Sequence, residues 1–290
     1  MPLYAVSASE LRDHCKRAIE GLELWLRRLI DDKLSAAHGS NYVNATKPDG
    51  SRVIRSELAR ALSDRQSKDP KRYSRPIDAA LLEEEIAIIC NPDLYKLYFQ
   101  DALAGVFPQG SDVARTYLQR LVAPRNALYH ANPLSVHDAY RVLCYALDVV
   151  QGLKDYYLTI NMGQLYNVPT VIRVTDSIGR SANLTASRPS GFAMVDYSND
   201  PSAYLRCGDK LSIEVEIDPA FDPEEYEIRW SVSNVPAPQV YGPKFEILLT
   251  ERFVSTRFCV VCHVTSNKTW HKAGTYDDQI DIAYRVLPPP

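Results

Sequence analysis

The segment VHDAYRVLCYALDVVQGLKDYYLTIN, residues 136–161, and the run TVIRV, residues 170–174, lie on either side of a change in pattern that decides the fold. In the first, apolar residues recur at three- and four-residue spacing, the repeat of one face of a helix; in the second, β-branched residues dominate a short extended run. The same contrast divides the whole chain. Before residue 160 the spacing is helical, and after it short runs rich in Val, Ile, Thr and Tyr are separated by Pro, Asn and Asp. The sequence therefore predicts a multidomain α + β chain: an all-α helical bundle over residues 1–162, joined through Tyr166–Pro169 to an all-β, antiparallel, immunoglobulin-like sandwich over residues 163–290.

Working back from residue 136, Leu11, Cys15, Ala18, Ile19, Leu22, Trp25, Leu26 and Leu29 trace one stripe of a helix from about Ser9 to Leu34, with Ser7 and Ser9 able to cap its start. Further helices are expected at about Arg52–Ser63, Ile77–Cys90, Pro92–Val106, Asp112–Asn132 and Val136–Asn161. Ser111 precedes the fifth helix. Ser135 with Asp138 resembles a capping box at the start of the sixth, and Pro133 separates the two into an antiparallel pair. Forward from residue 170, strands are expected near Thr170–Val174, Asn183–Ser187, Phe192–Asp196, Lys210–Ile217, Tyr226–Val232, Lys244–Leu249, Arg257–Thr265 and Gln279–Val286. Trp230 is the candidate buried tryptophan of the sandwich. No cysteine in the strand before it can pair with Cys262, so the sandwich is expected to rest on packing alone.

Composition narrows the class. With 46% hydrophobic and 24% charged residues, the 290-residue chain can bury a sizeable interior, which excludes wholesale disorder and fibrous folds. The 33 basic and 36 acidic residues leave a net charge of -3, so the chain does not coat nucleic acid by charge alone, although a local basic site remains open. Charges at Glu10, Arg12, Asp13, Lys16, Arg17, Glu20 and Glu23 interrupt any apolar run long enough for a signal peptide or a membrane span. A soluble, cytoplasmic protein with no membrane partner is the expectation. The six cysteines lie in apolar-periodic segments and are expected as reduced core thiols.

The stretch that carries chemistry is Pro124-Arg125-Asn126-Ala127-Leu128-Tyr129-His130. At 100° per residue, Asn126 and His130 project about 40° apart from one helix face, with Arg125 about 140° from His130. If a second copy docks across a two-fold axis, two histidines and two arginines converge on one cleft. Such a cleft suits cleavage of a phosphodiester by its own 2′-hydroxyl: one imidazole takes the hydroxyl proton, the other protonates the leaving oxygen, and Arg125 stabilises charge on the phosphoryl oxygens. That chemistry requires neither a metal nor a cofactor. A solvent-facing arginine and a histidine set against a neighbouring helix would account for the same residues without catalysis.

Arg125-Asn126-x-x-x-His130, late in a helical domain and followed by Asn132-Pro133-Leu134-Ser135 and a long terminal helix, resembles the HEPN superfamily of small helical domains. The stretch Leu94 to Tyr157 is most similar to the branch named after a nuclear messenger-RNA surveillance nuclease, which also occurs in bacterial conflict and defence systems. The resemblance covers roughly the first 160 residues. It implies a metal-independent endoribonuclease with a site shared between the copies of a homodimer, in a toxin or anti-phage context, and it carries over Arg125, Asn126 and His130 as catalytic residues. Tyr129 departs from the small residue frequent before the histidine. Because several HEPN branches are inactive, a catalytically silent dimer acting as a protein- or nucleotide-binding scaffold is the alternative. The sandwich is then a recognition or regulatory module for a protein partner.

Between Lys47 and Arg75, nine basic residues stand against four acidic ones. Arg52, Arg55, Arg60, Lys71 and Arg72 are the candidates for guiding RNA phosphates, with Tyr73 as a stacking surface; a solvated helix face would read the same way. Cys259-Val-Val-Cys262-His263 has the spelling of a haem or zinc site. Its alternation as a strand puts the two cysteines on opposite faces, which leaves Cys262 as core. Trp270, His271, Tyr276, Asp277 and Asp278 form a polar cluster expected in a hairpin loop, held by local hydrogen bonds or, alternatively, around a cation.

Overall fold

The computed structural model describes residues 6–130, 132–184, 188–233 and 239–289. The chain separates into two compact units, Met1–Asn161 and Met162–Pro290. The first is helical and the second is built of strands.

The helical unit is organised around α1, Ala8–His38. Ser7 starts it with a full capping box: its Oγ accepts the Glu10 N–H at 3.2 Å, and the Glu10 carboxylate accepts the Ser7 N–H at 2.9 Å. The expected stripe is buried, from Leu11 and Cys15 through Leu22, Trp25 and Leu26 to Leu29. Against it lies α8, Val136–Thr159, whose Ala139, Val142, Ala146, Val149, Leu153 and Tyr157 face inward. The two helices run side by side in the same direction: Cys15 meets Ala139 near one end, and the Tyr157 hydroxyl donates to Asp32 at 2.7 Å near the other.

Three expected helices are divided, each at a recognisable place. The basic segment starts its helix only at α2, Ser56–Lys68, because Thr46 and Arg52 form an isolated bridge around a tight turn. A 3₁₀ turn at Pro76–Ala79 precedes α3, Leu82–Ile89. Next come α4, Pro92–Leu94, a π-helical turn at Tyr95–Phe99, and α5, Gln100–Leu103. The expected helix Asp112–Asn132 is two helices, α6 (Ser111–Gln119) and α7 (Val122–Tyr129). Pro124 explains the break. It has no N–H to offer the carbonyl of Arg120, and its ring is accommodated only in the first turn of a new helix.

After α9, Gly163–Tyr166, the second unit holds β1 (Val171–Asp176), β2 (Ser181–Asn183), β3 (Phe192–Asp196), β4 (Leu205–Arg206), β5 (Lys210–Ile217), β6 (Tyr226–Val232), β7 (Val240–Tyr241), β8 (Lys244–Leu248), β9 (Ser255–Ser266) and β10 (Asp278–Leu287). The expected strand Asn183–Ser187 overlaps β2 at Asn183, and residues 185–187 lie outside the described residues. One sheet runs β2-β1-β5-β8; the other, six-stranded, runs β3-β10-β9-β6-β7 with β4 also on β10. Both β3 and β4 lie parallel to β10, so the wholly antiparallel arrangement expected from the sequence is corrected to a mixed sheet. One core lies between the sheets, drawing Val174, Ile213 and Phe245 from the first and Trp230, Cys262, Ile280 and Ile282 from the second. Trp230 is fully buried, stacks on Phe245 and donates Nε1–H to the Gly242 carbonyl at 2.8 Å.

Two polar links join β1 to β10 across this core. The Tyr284 hydroxyl donates to Asp176 at 2.8 Å. Asp278, fully buried, accepts the Val171 N–H at 2.8 Å and pairs with the Arg188 guanidinium, which also donates to the Val171 carbonyl at 3.0 Å. Removing one partner of a buried pair leaves the other charge uncompensated. Asp278→Ala is therefore expected to destabilise the strand unit by about 3 to 5 kcal/mol, measured by urea unfolding of the full chain; a loss under about 1 kcal/mol would show that the link does not hold the sheets.

Candidate functional site

Helix α7 is only eight residues long and relies on α1 for its position. At its C-terminal end, Arg12 of α1 donates Nη1 to the Asn132 carbonyl at 2.7 Å and Nη2 to the carbonyls of Ala127, at 3.2 Å, and Leu128. The carbonyls of Ala127 and Leu128 are among those that a helix end leaves without intrahelical partners. His130 follows as the capping residue, with its N–H on the Asn126 carbonyl at 3.0 Å. Its side chain is exposed. The helical turn that sets Asn126 beneath His130 is thus intact, although the histidine closes the helix instead of lying within it.

Arg125 is held on three sides. Its Nε donates to Glu23 at 2.8 Å, its Nη1 donates to the Asn126 Oδ1 at 3.2 Å, and its guanidinium carbon lies 4.5 Å from the centre of the Tyr129 ring. Burial alone would favour a neutral guanidine, but the hydrogen bond and charge of Glu23 outweigh it and hold Arg125 above its ordinary value. Glu23 in turn accepts from Arg27 at 2.8 Å, and Arg27 donates Nε to the fully buried Glu85 at 2.7 Å and Nη2 to the Ala80 carbonyl at 2.7 Å. Complete burial pushes the Glu85 carboxyl above the usual carboxylate range against the pull of Arg27. Burial, then Glu23 and Glu20, likewise raise the Tyr129 phenol, which donates to Glu20 at 3.4 Å.

The structure thus joins Arg125 to Asn126 and carries His130 on the same short helix. Arg125 is not a free cation, because Glu23 compensates it. Its side chain is 14% exposed. Glu23, Arg27 and Arg12 were not read from the sequence as site residues, and Tyr129 was marked there only as a departure from the HEPN pattern. One signal was present: Glu23 and Arg27, four residues apart, interrupt an otherwise apolar stripe with a charge pair.

Arg52, Arg55, Arg60, Lys71 and Arg72 occupy another part of the unit. Arg52 is half-buried and donates to Asn44 at 3.2 Å; Arg55 caps α2, Arg60 lies on it, and Lys71 and Arg72 follow it, all exposed. Arg72 lies 5.2 Å from the centre of the Tyr73 ring. Within the same segment, Arg65 and Arg75 are taken up by Glu84, Asp31 and Asp78. Asp31 attaches this segment to α1 nineteen residues after Arg12 attaches α7, about 28 Å along the helix.

Cys262 lies in the core and Cys259 on the outer side of β9. Cys144 is exposed and Cys207 half-exposed, which corrects the expectation that every cysteine is core; Cys144 projects from α8 away from its buried face. Asp277 accepts the Ser266 N–H at 2.7 Å and the Lys272 N–H at 3.0 Å, with His271 at 3.3 Å, so local bonds close the hairpin before β10. Among the described residues, no three His, Cys, Asp or Glu side chains are grouped to hold a metal ion, and no helix is long and apolar enough to cross a membrane. The chain matches no known family model and no curated protein. Its likeness to HEPN domains therefore rests on Arg125-Asn126-x-x-x-His130 and the order of helices around it.

Glu23→Ala is expected to cost the helical unit about 3 kcal/mol or more, since it leaves Arg27 and Arg125 sharing one remaining buried carboxylate. Far-UV circular dichroism during urea unfolding measures it. A loss within about 0.5 kcal/mol would place the charge chain among surface pairs of little consequence.

Proposed function

We propose that the chain is a metal-independent endoribonuclease of the HEPN type, working as a homodimer, with an immunoglobulin-like second unit that recognises a partner or regulates the nuclease. The observation that carries this reading is the combination of an exposed His130 at the end of α7 with a guanidinium on the same helix, that of Arg125, immobilised by Glu23, Asn126 and Tyr129. Immobilisation matters because a clamp that is already oriented gives up little freedom when a phosphate arrives. In the proposed reaction the 2′-hydroxyl loses its proton to one His130 and its oxygen attacks phosphorus. The 5′-oxygen leaves with a proton from the second copy's imidazole, giving a 2′,3′-cyclic phosphate and a 5′-hydroxyl. Asn126 positions the arginine.

A second copy is supported by α8. Val136, Tyr140 and Leu147 are 51%, 47% and 56% exposed, and with Cys144 they form a stripe about 16 Å long on one side of the helix. This stripe begins six residues after His130, so a copy docked along it would bring a second α7 towards the first. The sandwich reading is supported by the two sheets closed on the fully buried Trp230.

The scaffold alternative draws on the compensation of Arg125 by Glu23. Structured RNA incubated with the chain in EDTA separates the two readings. Cleavage to cyclic-phosphate ends is expected, falling about a hundredfold or more in His130→Ala and in Arg125→Ala; equal silence of parent and variants sinks the nuclease. In sedimentation at micromolar concentration, the parent is expected as a dimer and Leu147→Asp as a monomer that has lost cleavage. Undiminished cleavage by a strict monomer would remove the shared site.

A further inference from the structure

An open groove of about 340 Å³ lies between α3, α6 and the start of α7, lined by Glu83, Ile86, Ala87, Arg115, Gln119 and Val122. Its apolar lining is the buried Ile86, with the half-exposed Val122 and the exposed Ala87. Its polar groups come from two helices that face each other: Glu83 from α3, and Arg115 with Gln119, one turn apart, from α6. Arg115 donates to the Cys90 carbonyl, which fixes its guanidinium in place. The groove and the candidate site share helix α7. Val122 precedes Arg125 by one helical turn, and Glu83 is close enough to act on the charge of Arg125. His130 stands eight positions after Val122, about 12 Å along the helix, a distance within reach of a neighbouring nucleotide of the same strand.

The size, the apolar lining and the polar rim select the occupant. A volume of about 340 Å³ is at the small end of ligand pockets and takes one flat ring system, not a length of strand. An apolar lining beside a fixed guanidinium suits the face of a base. A carboxylate accepts and never donates, so Glu83 prefers an edge with two adjacent donors, and among the four bases only guanine presents one, at N1–H and the N2 amine. The Gln119 amide and the Arg115 guanidinium then supply donors for the acceptors O6 and N7.

We propose that this groove is a subsite for a guanine base of the RNA strand whose phosphodiester is cut at His130; the proposal rests on the nuclease reading above. Glu83 discriminates between bases and does not attract the strand, since its charge repels phosphate.

The test uses the full chain with His130→Ala, which binds without cutting, and labelled oligouridylates carrying a single guanosine, inosine or adenosine. Fluorescence anisotropy is expected to show the guanosine strand bound about tenfold more tightly than the adenosine strand, the inosine strand falling between them because it lacks the N2 amine. In Glu83→Gln the guanosine-to-adenosine ratio should fall to about one, and in Gln119→Ala to an intermediate value. Both side chains are exposed, so neither substitution endangers the fold. Persistence of the ratio in Glu83→Gln overturns the proposal, as does its absence from a chain that binds RNA. Free guanosine monophosphate is expected to displace the strand only weakly; displacement as effective as that by the unlabelled strand would assign the groove to the free nucleotide and overturn the strand subsite. Loss of His130-dependent cleavage altogether removes the nuclease reading, whereas cleavage with no guanine preference removes only the subsite.

Discussion

One carboxylate, that of Glu23, is gripped from opposite sides by Arg27 and Arg125, and the helical unit's candidate site depends on it. Glu85 closes the chain beyond Arg27, so two acids and two guanidiniums balance in a region withdrawn from water. Burying any one of them alone would be costly, and the four are tolerable only as a set. The set also does geometrical work. It ties α7 to the middle of α1, while Arg12 ties the end of α7 to the beginning of α1. A helix of eight residues, marginal by itself, thereby has its rotation and its tilt both fixed.

That arrangement has an electrostatic consequence for any anion approaching His130. Arg125 on the same helix is oriented but already compensated by Glu23, with Glu83 acting on its charge and Glu20 on that of the neighbouring Tyr129. A phosphate gains little from long-range attraction here. The exposed basic groups around α2 belong to a segment that Asp31 fastens farther along α1.

The division of the chain was legible because periodicity changes sharply near residue 160, and β3, β5 and β6 matched their expected bounds since strict alternation leaves little freedom in a half-buried strand. The burial of Trp230 and the separation of Cys259 from Cys262 followed from the same alternation. Helix breaks were less legible. Pro124 held the clue to the gap between α6 and α7, but apolar spacing runs on across it. The π-helical turn at Tyr95–Phe99 leaves no mark on a pattern read with the α-helical repeat. Parallel pairing of β3 and β4 with β10 is a matter of which strands meet, and alternation within a strand says nothing of its neighbour. At the site, the sequence contained Arg125, Asn126 and His130 as neighbours on one helix, whereas Glu23 and Arg12 reach them across more than a hundred residues. Contacts of that separation come from packing and have no local signal.

The position of β10 also bears on how the second unit is made. This strand lies inside its sheet, with β9 along one edge and β3 and β4 along the other, and supplies Asp278 and Tyr284 to the links that reach β1. Strands synthesised much earlier therefore wait, with their inner faces uncovered, until residues through Leu287 have left the ribosome. Nascent chains of this unit should be clients for holdase chaperones until that moment, and translation pausing shortly before β10 would prolong their exposure to aggregation.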